Sequence, residues 1–146
     1  MTRRLFSAAL VALLAAACSN RAADPDLQIG DAWARATAPG QTSGAAYMTI
    51  DNKGAADRLV AIQTSRATAA TIHDSRAEGG VMRMRMRGAL PIPAGARMDL
   101  APGGTHVMLA PLSAPLKAGE TFSLTLRFER AGDMRVPVSV VAAGAR

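Results

Sequence analysis

An all-β domain, built as a sandwich or small barrel, is what this sequence predicts, and three observations predict it. Short runs alternate apolar and polar residues with period two. Turn residues separate these runs at intervals of about 8–12 residues, the spacing of small all-β folds. No window of helix length carries a convincing 3.6-residue period with caps.

The elements follow in order. Leu27 to Ala36 is the first candidate strand, and the loop Ala38-Pro39-Gly40-Gln41-Thr42-Ser43-Gly44 follows it. Ala45 to Asp51 is the second, closed by the turn Asp51-Asn52-Lys53-Gly54. Arg58 to Thr64 and Ala69 to His73 come next, with His73 ending its strand before a loop of acidic and small residues. Gly79-Gly80 breaks the chain before Val81 to Arg87. Pro91 to Ala96 reads as turn, Arg97 to Leu100 as a short strand, and Pro102-Gly103-Gly104 as a tight turn before Thr105 to Leu109. The last two strands are the clearest. Phe122, Leu124, Leu126 and Phe128 alternate with Thr121, Ser123, Thr125 and Arg127, and Met134, Val136, Val138 and Val140 do the same. Such alternation marks half-buried antiparallel strands. Pro137 places the last one at an edge or bulge.

Residues 1–17 are read as a secretory signal, with Arg3 and Arg4 before an apolar run from Leu5 to Ala17. The run is too short to span a membrane comfortably. Leu14-Ala15-Ala16-Ala17-Cys18 resembles a bacterial lipoprotein signal, which implies cleavage before Cys18 and lipidation of its thiol; ordinary cleavage near Ala17 or Ala23 is the alternative. Residues 18–26 then form a polar tether and residues 27–146 one domain. The expected location is the periplasm, with membrane attachment through Cys18.

Composition excludes several classes. One cysteine builds no disulfide framework, iron–sulfur site or cysteine zinc site. No phosphate-binding glycine loop is present. The formal charge of +6 comes from arginines that are scattered, apart from Arg83, Arg85 and Arg87, and lack interleaved aromatics, which is not a nucleic-acid surface. No nucleophile–base–acid set or paired carboxylates point to an enzyme.

The chemistry lies in the two histidines and the methionines around them. Ten residues separate His73 from Met84, twenty-one separate Met84 from His106, and one separates His106 from Met108. His106 and Met108 point to one face of a strand, as do Met82, Met84 and Met86, with Arg83, Arg85 and Arg87 on the other. If these strands adjoin, two imidazoles and two thioethers converge. Imidazole with soft, neutral sulfur selects Cu(I). Zinc would want a thiolate or carboxylate in place of methionine, calcium and magnesium want oxygens, and blue copper requires a cysteine that this domain lacks. Methionine alone is common core filler, and Met82 is read that way.

The same residues resemble a known family. The pattern His73-x10-Met84-x21-His106-x-Met108 is similar to the signature of the periplasmic copper chaperones called PCu(A)C. So are Asp31-Ala32-Trp33-Ala34-Arg35-Ala36, Ala45-Ala46-Tyr47-Met48, Gly80-Val81-Met82-Arg83-Met84-Arg85 and Ile92-Pro93-Ala94-Gly95. Pro102-Gly103-Gly104, Pro115-Leu116-x-x-Gly119 and Leu124-Thr125-Leu126-x-Phe128 complete a match over residues 27–141. The resemblance implies a cupredoxin-like, Greek-key β-sandwich holding Cu(I) on His73, Met84, His106 and Met108. It implies delivery toward the CuA centre of cytochrome c oxidase, with oxidase subunit II or a Sco-type thiol protein as partner. Residues 142–146 carry no His/Met-rich tail, so one Cu(I) per monomer is expected. Met86 replaces a more usual small residue or proline and offers a spare sulfur. The site is expected at one end of the sandwich, framed by Gly79-Gly80 and Pro102-Gly103-Gly104. The alternative is an envelope lipoprotein serving as an interaction module or in copper tolerance, which predicts an exposed apolar patch instead of convergent ligands.

Overall fold

The computed structural model describes residues 23–146, so the signal segment, Cys18 and the start of the tether lie outside the described residues. The described residues form ten strands: β1 (Leu27–Arg35), β2 (Gly44–Asn52), β3 (Asp57–Gln63), β4 (Ala67–Glu78), β5 (Val81–Arg87), β6 (Leu90–Ile92), β7 (Arg97–Leu100), β8 (Thr105–Leu112), β9 (Thr121–Phe128) and β10 (Gly132–Val141). Helices are absent among the described residues.

Hydrogen bonding orders nine of the strands β5-β4-β8-β2-β1-β10-β9-β3-β6, and β7 pairs with β2. One further pairing, Ile62 opposite Ala70, joins β3 to β4 and closes the intervening strands into a barrel. Only β1 and β10 run parallel, from Trp33 opposite Ser139 to Arg35 opposite Val141. Neighbours distant in sequence, such as β4 with β8 and β1 with β10, are the crossovers of the expected Greek-key fold.

The alternating strands supply the core. Leu124 and Leu126 of β9, Val138 of β10, Val107 and Leu109 of β8 and Ile50 of β2 are fully buried. Pro137 sits opposite Ser123 of β9, before the stretch of β10 that pairs with β1, so its missing N–H interrupts no second ladder. Gly54 is fixed by close approach: a Cβ there would lie 2.3 Å from the Asp24 carbonyl oxygen.

Three expectations change. β4 continues to Glu78, so His73 lies within a strand rather than at its end. From Ser75 onward β4 is past its ladder with β8 and pairs with β5 in a hairpin, and residues 76–78 are exposed, so no period-two signal arises there. The stretch expected as turn includes the short strand β6, and Met82 is exposed rather than core.

One buried carboxylate pins the turn after β9 to the start of β3. Asp57, only 4% exposed, accepts hydrogen bonds from the backbone N–H groups of Arg58 (2.7 Å), Arg130 (2.9 Å) and Ala131 (2.8 Å). Burial alone would raise its pKa, but these three donors and the Arg130 guanidinium together hold it below the ordinary value. A depressed folded-state pKa contributes stability that is present at neutral pH and lost as pH falls through the folded pKa. Asp57→Ala is therefore expected to cost about 2 kcal/mol in urea unfolding at pH 7. The gap should narrow below about pH 4, where the unfolded carboxyl takes up its proton. A gap independent of pH would show that packing, not charge, sets the cost.

Candidate metal centre

Register decides where the His/Met side chains meet. In the β4–β8 ladder His73 lies opposite His106 and Thr71 opposite Met108. In the β4–β5 ladder Met86 lies opposite His73, Met84 opposite Ser75 and Met82 opposite Ala77. Residues directly opposed across an antiparallel pair project to the same side of the sheet. His73, Met82, Met84, Met86, His106 and Met108 therefore share one face. Ala45, opposite Met108, extends that face onto β2 and places Tyr47 there too. The intervening residues Ile72, Val107 and Leu109 point into the core. The same alternation thus builds the barrel interior on one side and the site on the other.

A cleft of about 330 Å³ opens on this outer face, and Met84, His106, Met108, Tyr47, Arg35 and Gln41 are among its lining residues. Among the described residues no carboxylate lines it. His73 does not line the cleft, but its ring stacks against that of His106 with centroids 6.0 Å apart and planes at 29°. The site therefore lies on the sheet face rather than at the end of a sandwich. Of the two expected framing loops, Gly79-Gly80 is the hairpin tip between β4 and β5, away from the cleft lining. Gly104 does act at the site.

His106 is 6% exposed, and its Nδ1 lies 3.0 Å from the Gly104 carbonyl oxygen. A carbonyl only accepts, so Nδ1 carries a proton, and Nε2 is the nitrogen that the neutral ring offers to a metal. The same carbonyl accepts from the Ser75 N–H at 3.1 Å, which ties β4 to the turn before β8. Such outer hydrogen bonds orient an imidazole for a metal. His73 is half-buried, with Nε2 3.0 Å from the Thr71 hydroxyl. Partial burial, then the neighbouring His106, lowers its pKa below the ordinary imidazole value. Met84 is 53% exposed, so at least one thioether is open to a partner. The rings of Trp33 and Tyr47 pack 4.5 Å apart and close the far side of His106.

The donor set is soft. Among the described residues no three His, Cys, Asp or Glu side chains gather as a hard-metal site would require. Two imidazoles with neighbouring thioethers suit Cu(I) or Ag(I) by ligand chemistry. Tyr47 and Arg35 were not legible as site residues, because only the β1–β2 and β2–β8 registers bring them there.

Comparison with known proteins gives consistent relatives. The LpqE-like lipoprotein family matches residues 27–140. "Putative lipoprotein Lxx21020" of Leifsonia xyli subsp. xyli (strain CTCB07) is 37% identical over 116 residues, spanning 78% of this chain and 69% of that protein. The copper-bound PCuAC domain from PmoF2 is 28% identical with a TM-score of 0.68, covering 80% of this chain and 93% of that domain. Its apo form aligns at 30% identity and a TM-score of 0.67, over 82% and 92%. The Cu(I) form of DR1885 from Deinococcus radiodurans, solved in solution, is 36% identical with a TM-score of 0.63, over 77% and 76%.

Proposed function

The chain belongs to the LpqE-like lipoprotein family and is a PCuAC domain, and from that premise we propose that it is a periplasmic carrier that binds one Cu(I) and delivers it to an acceptor protein. The observation that carries this reading is the gathering of both histidines and of Met84 and Met108 on one face of the sheet, beside a cleft that no carboxylate lines among the described residues. His73, Met84, His106 and Met108 are the proposed ligands. Thioethers suit an oxidising compartment, where paired thiols tend to become disulfides. Delivery proceeds by an acceptor's sulfur replacing these ligands one at a time, with copper remaining Cu(I). The proposed acceptors are the CuA centre of cytochrome c oxidase subunit II and a Sco-type thiol protein. The proposed attachment to the envelope is lipidated Cys18.

The interaction-module alternative draws on the exposed apolar row Val81, Met82, Met84 and Met86 on β5. Metal stoichiometry separates the two. Anaerobic titration of the mature domain is expected to give one Cu(I) per chain, with Zn(II) and Cu(II) bound more weakly. No uptake of Cu(I), or tighter Zn(II), would leave the interaction module standing.

A further inference from the structure

We infer that His73 and Met86 form a second, outer soft-metal position through which Cu(I) passes into and out of the cleft; the inference rests on the carrier reading above. Register carries it. Met86, His73 and His106 lie directly opposite one another across β5, β4 and β8, in a row perpendicular to the strands. Direct cross-strand neighbours have Cβ atoms about 4.5–5.5 Å apart, whereas diagonal neighbours lie at about 7–8 Å. The thioether placed beside His73 is thus Met86. Met84 stands opposite Ser75 and turns into the cleft with His106 and Met108, which neither Met86 nor His73 lines. His73 belongs to both groups: its ring stacks on His106 on one side and it faces Met86 on the other.

Exposure separates the two sulfurs further. Met86 is 72% exposed against 53% for Met84. A thioether that open contributes little to packing. It is also not needed to guard the edge strand, since Arg83, Arg85 and Arg87 on the opposite face serve that purpose. One imidazole and one thioether make a two-ligand set for a soft monovalent ion. Passage inward breaks the copper–Met86 bond as bonds to Met84, His106 and Met108 form, with His73 retained. Copper stays Cu(I), none of the three thioethers carries a proton, and an imidazole binds as its neutral ring before and after, so the step needs no co-reactant.

The test compares full-length mature domains of wild type, Met86→Leu and Met82→Leu, loaded anaerobically with Cu(I) and mixed with excess of a colorimetric Cu(I) chelator. Leucine conserves volume, and all these positions are exposed, so folding is not at issue. Met86→Leu is expected to slow release about tenfold, and Met82→Leu, which faces Ala77, less than about twofold. In a Met84→Leu domain labelled at its methionine methyls, one equivalent of Ag(I) should shift the Met86 resonance. Release from Met86→Leu at the wild-type rate, or an unmoved Met86 methyl, overturns the outer position while leaving the carrier reading intact. A wild-type domain that takes up no Cu(I) overturns both.

Discussion

His106→Ala is expected to weaken Cu(I) binding by about a hundredfold or more, roughly 2.8 kcal/mol, the largest loss at any single ligand. The reason is preorganisation. His106 is buried, its Nδ1–H is held by the Gly104 carbonyl, and its free nitrogen is fixed before metal arrives. Met108 shares its strand and face, so Met108→Leu should cost nearly as much. Met84 stands on an exposed strand with no such restraint, and Met84→Leu should cost less. Affinity measured by chelator competition, with circular dichroism to show an intact fold, decides the order. A Met84→Leu loss larger than that of His106→Ala would reverse the assignment of anchor and flexible ligand. Acid should release the metal, because an imidazole must be neutral to bind. Partial burial and His106 lower the pKa of His73, so its contribution should persist somewhat below the ordinary imidazole range near 6.5 and fall away at lower pH.

Legibility in the sequence followed burial. β9 and β10 alternate cleanly because one face meets the core and the other meets water, and their expected and observed positions agree. The second half of β4 was not legible. Residues 76–78 are held by backbone pairing to β5 and are exposed to solvent, so no hydrophobic period records the end of the strand. The run Arg83, Arg85, Arg87 reads as a basic cluster, yet Arg83 and Arg85 lie 3.3 and 3.9 Å from Glu78, and Arg87 lies 3.5 Å from Asp74. These exposed pairs are worth little energetically but reduce the local positive charge. The four His/Met positions stood out because two residue types of matching softness recur at fixed spacing. Their neighbours Tyr47 and Arg35 depend on which strands adjoin, a non-local property that no single stretch of sequence contains.

The metal-free domain is expected to unfold cooperatively, as a folded protein, and Cu(I) at about 1,000 times its dissociation constant should add about 4 kcal/mol by mass action. The sheet separates the two contributions. Val107, Leu109 and Ile72 face a core that includes Leu124, Leu126 and Val138, while the imidazoles and thioethers occupy the opposite side. Removing metal therefore removes no buried apolar surface. A structural metal behaves differently, because it holds together a chain too small to bury its own core. Two variants should act independently. Leu124→Ala, at a fully buried position, should cost about 3 kcal/mol whether or not copper is bound. His106→Ala should leave the metal-free domain folded and reduce the copper-dependent increment by about 2.8 kcal/mol, its loss of binding energy. Urea unfolding of the wild type and both variants, each with and without Cu(I) under anaerobic conditions, measures these effects. A metal-free domain without β-structure by circular dichroism, or a Leu124→Ala cost that vanishes when copper is bound, would place copper in the fold rather than in transit.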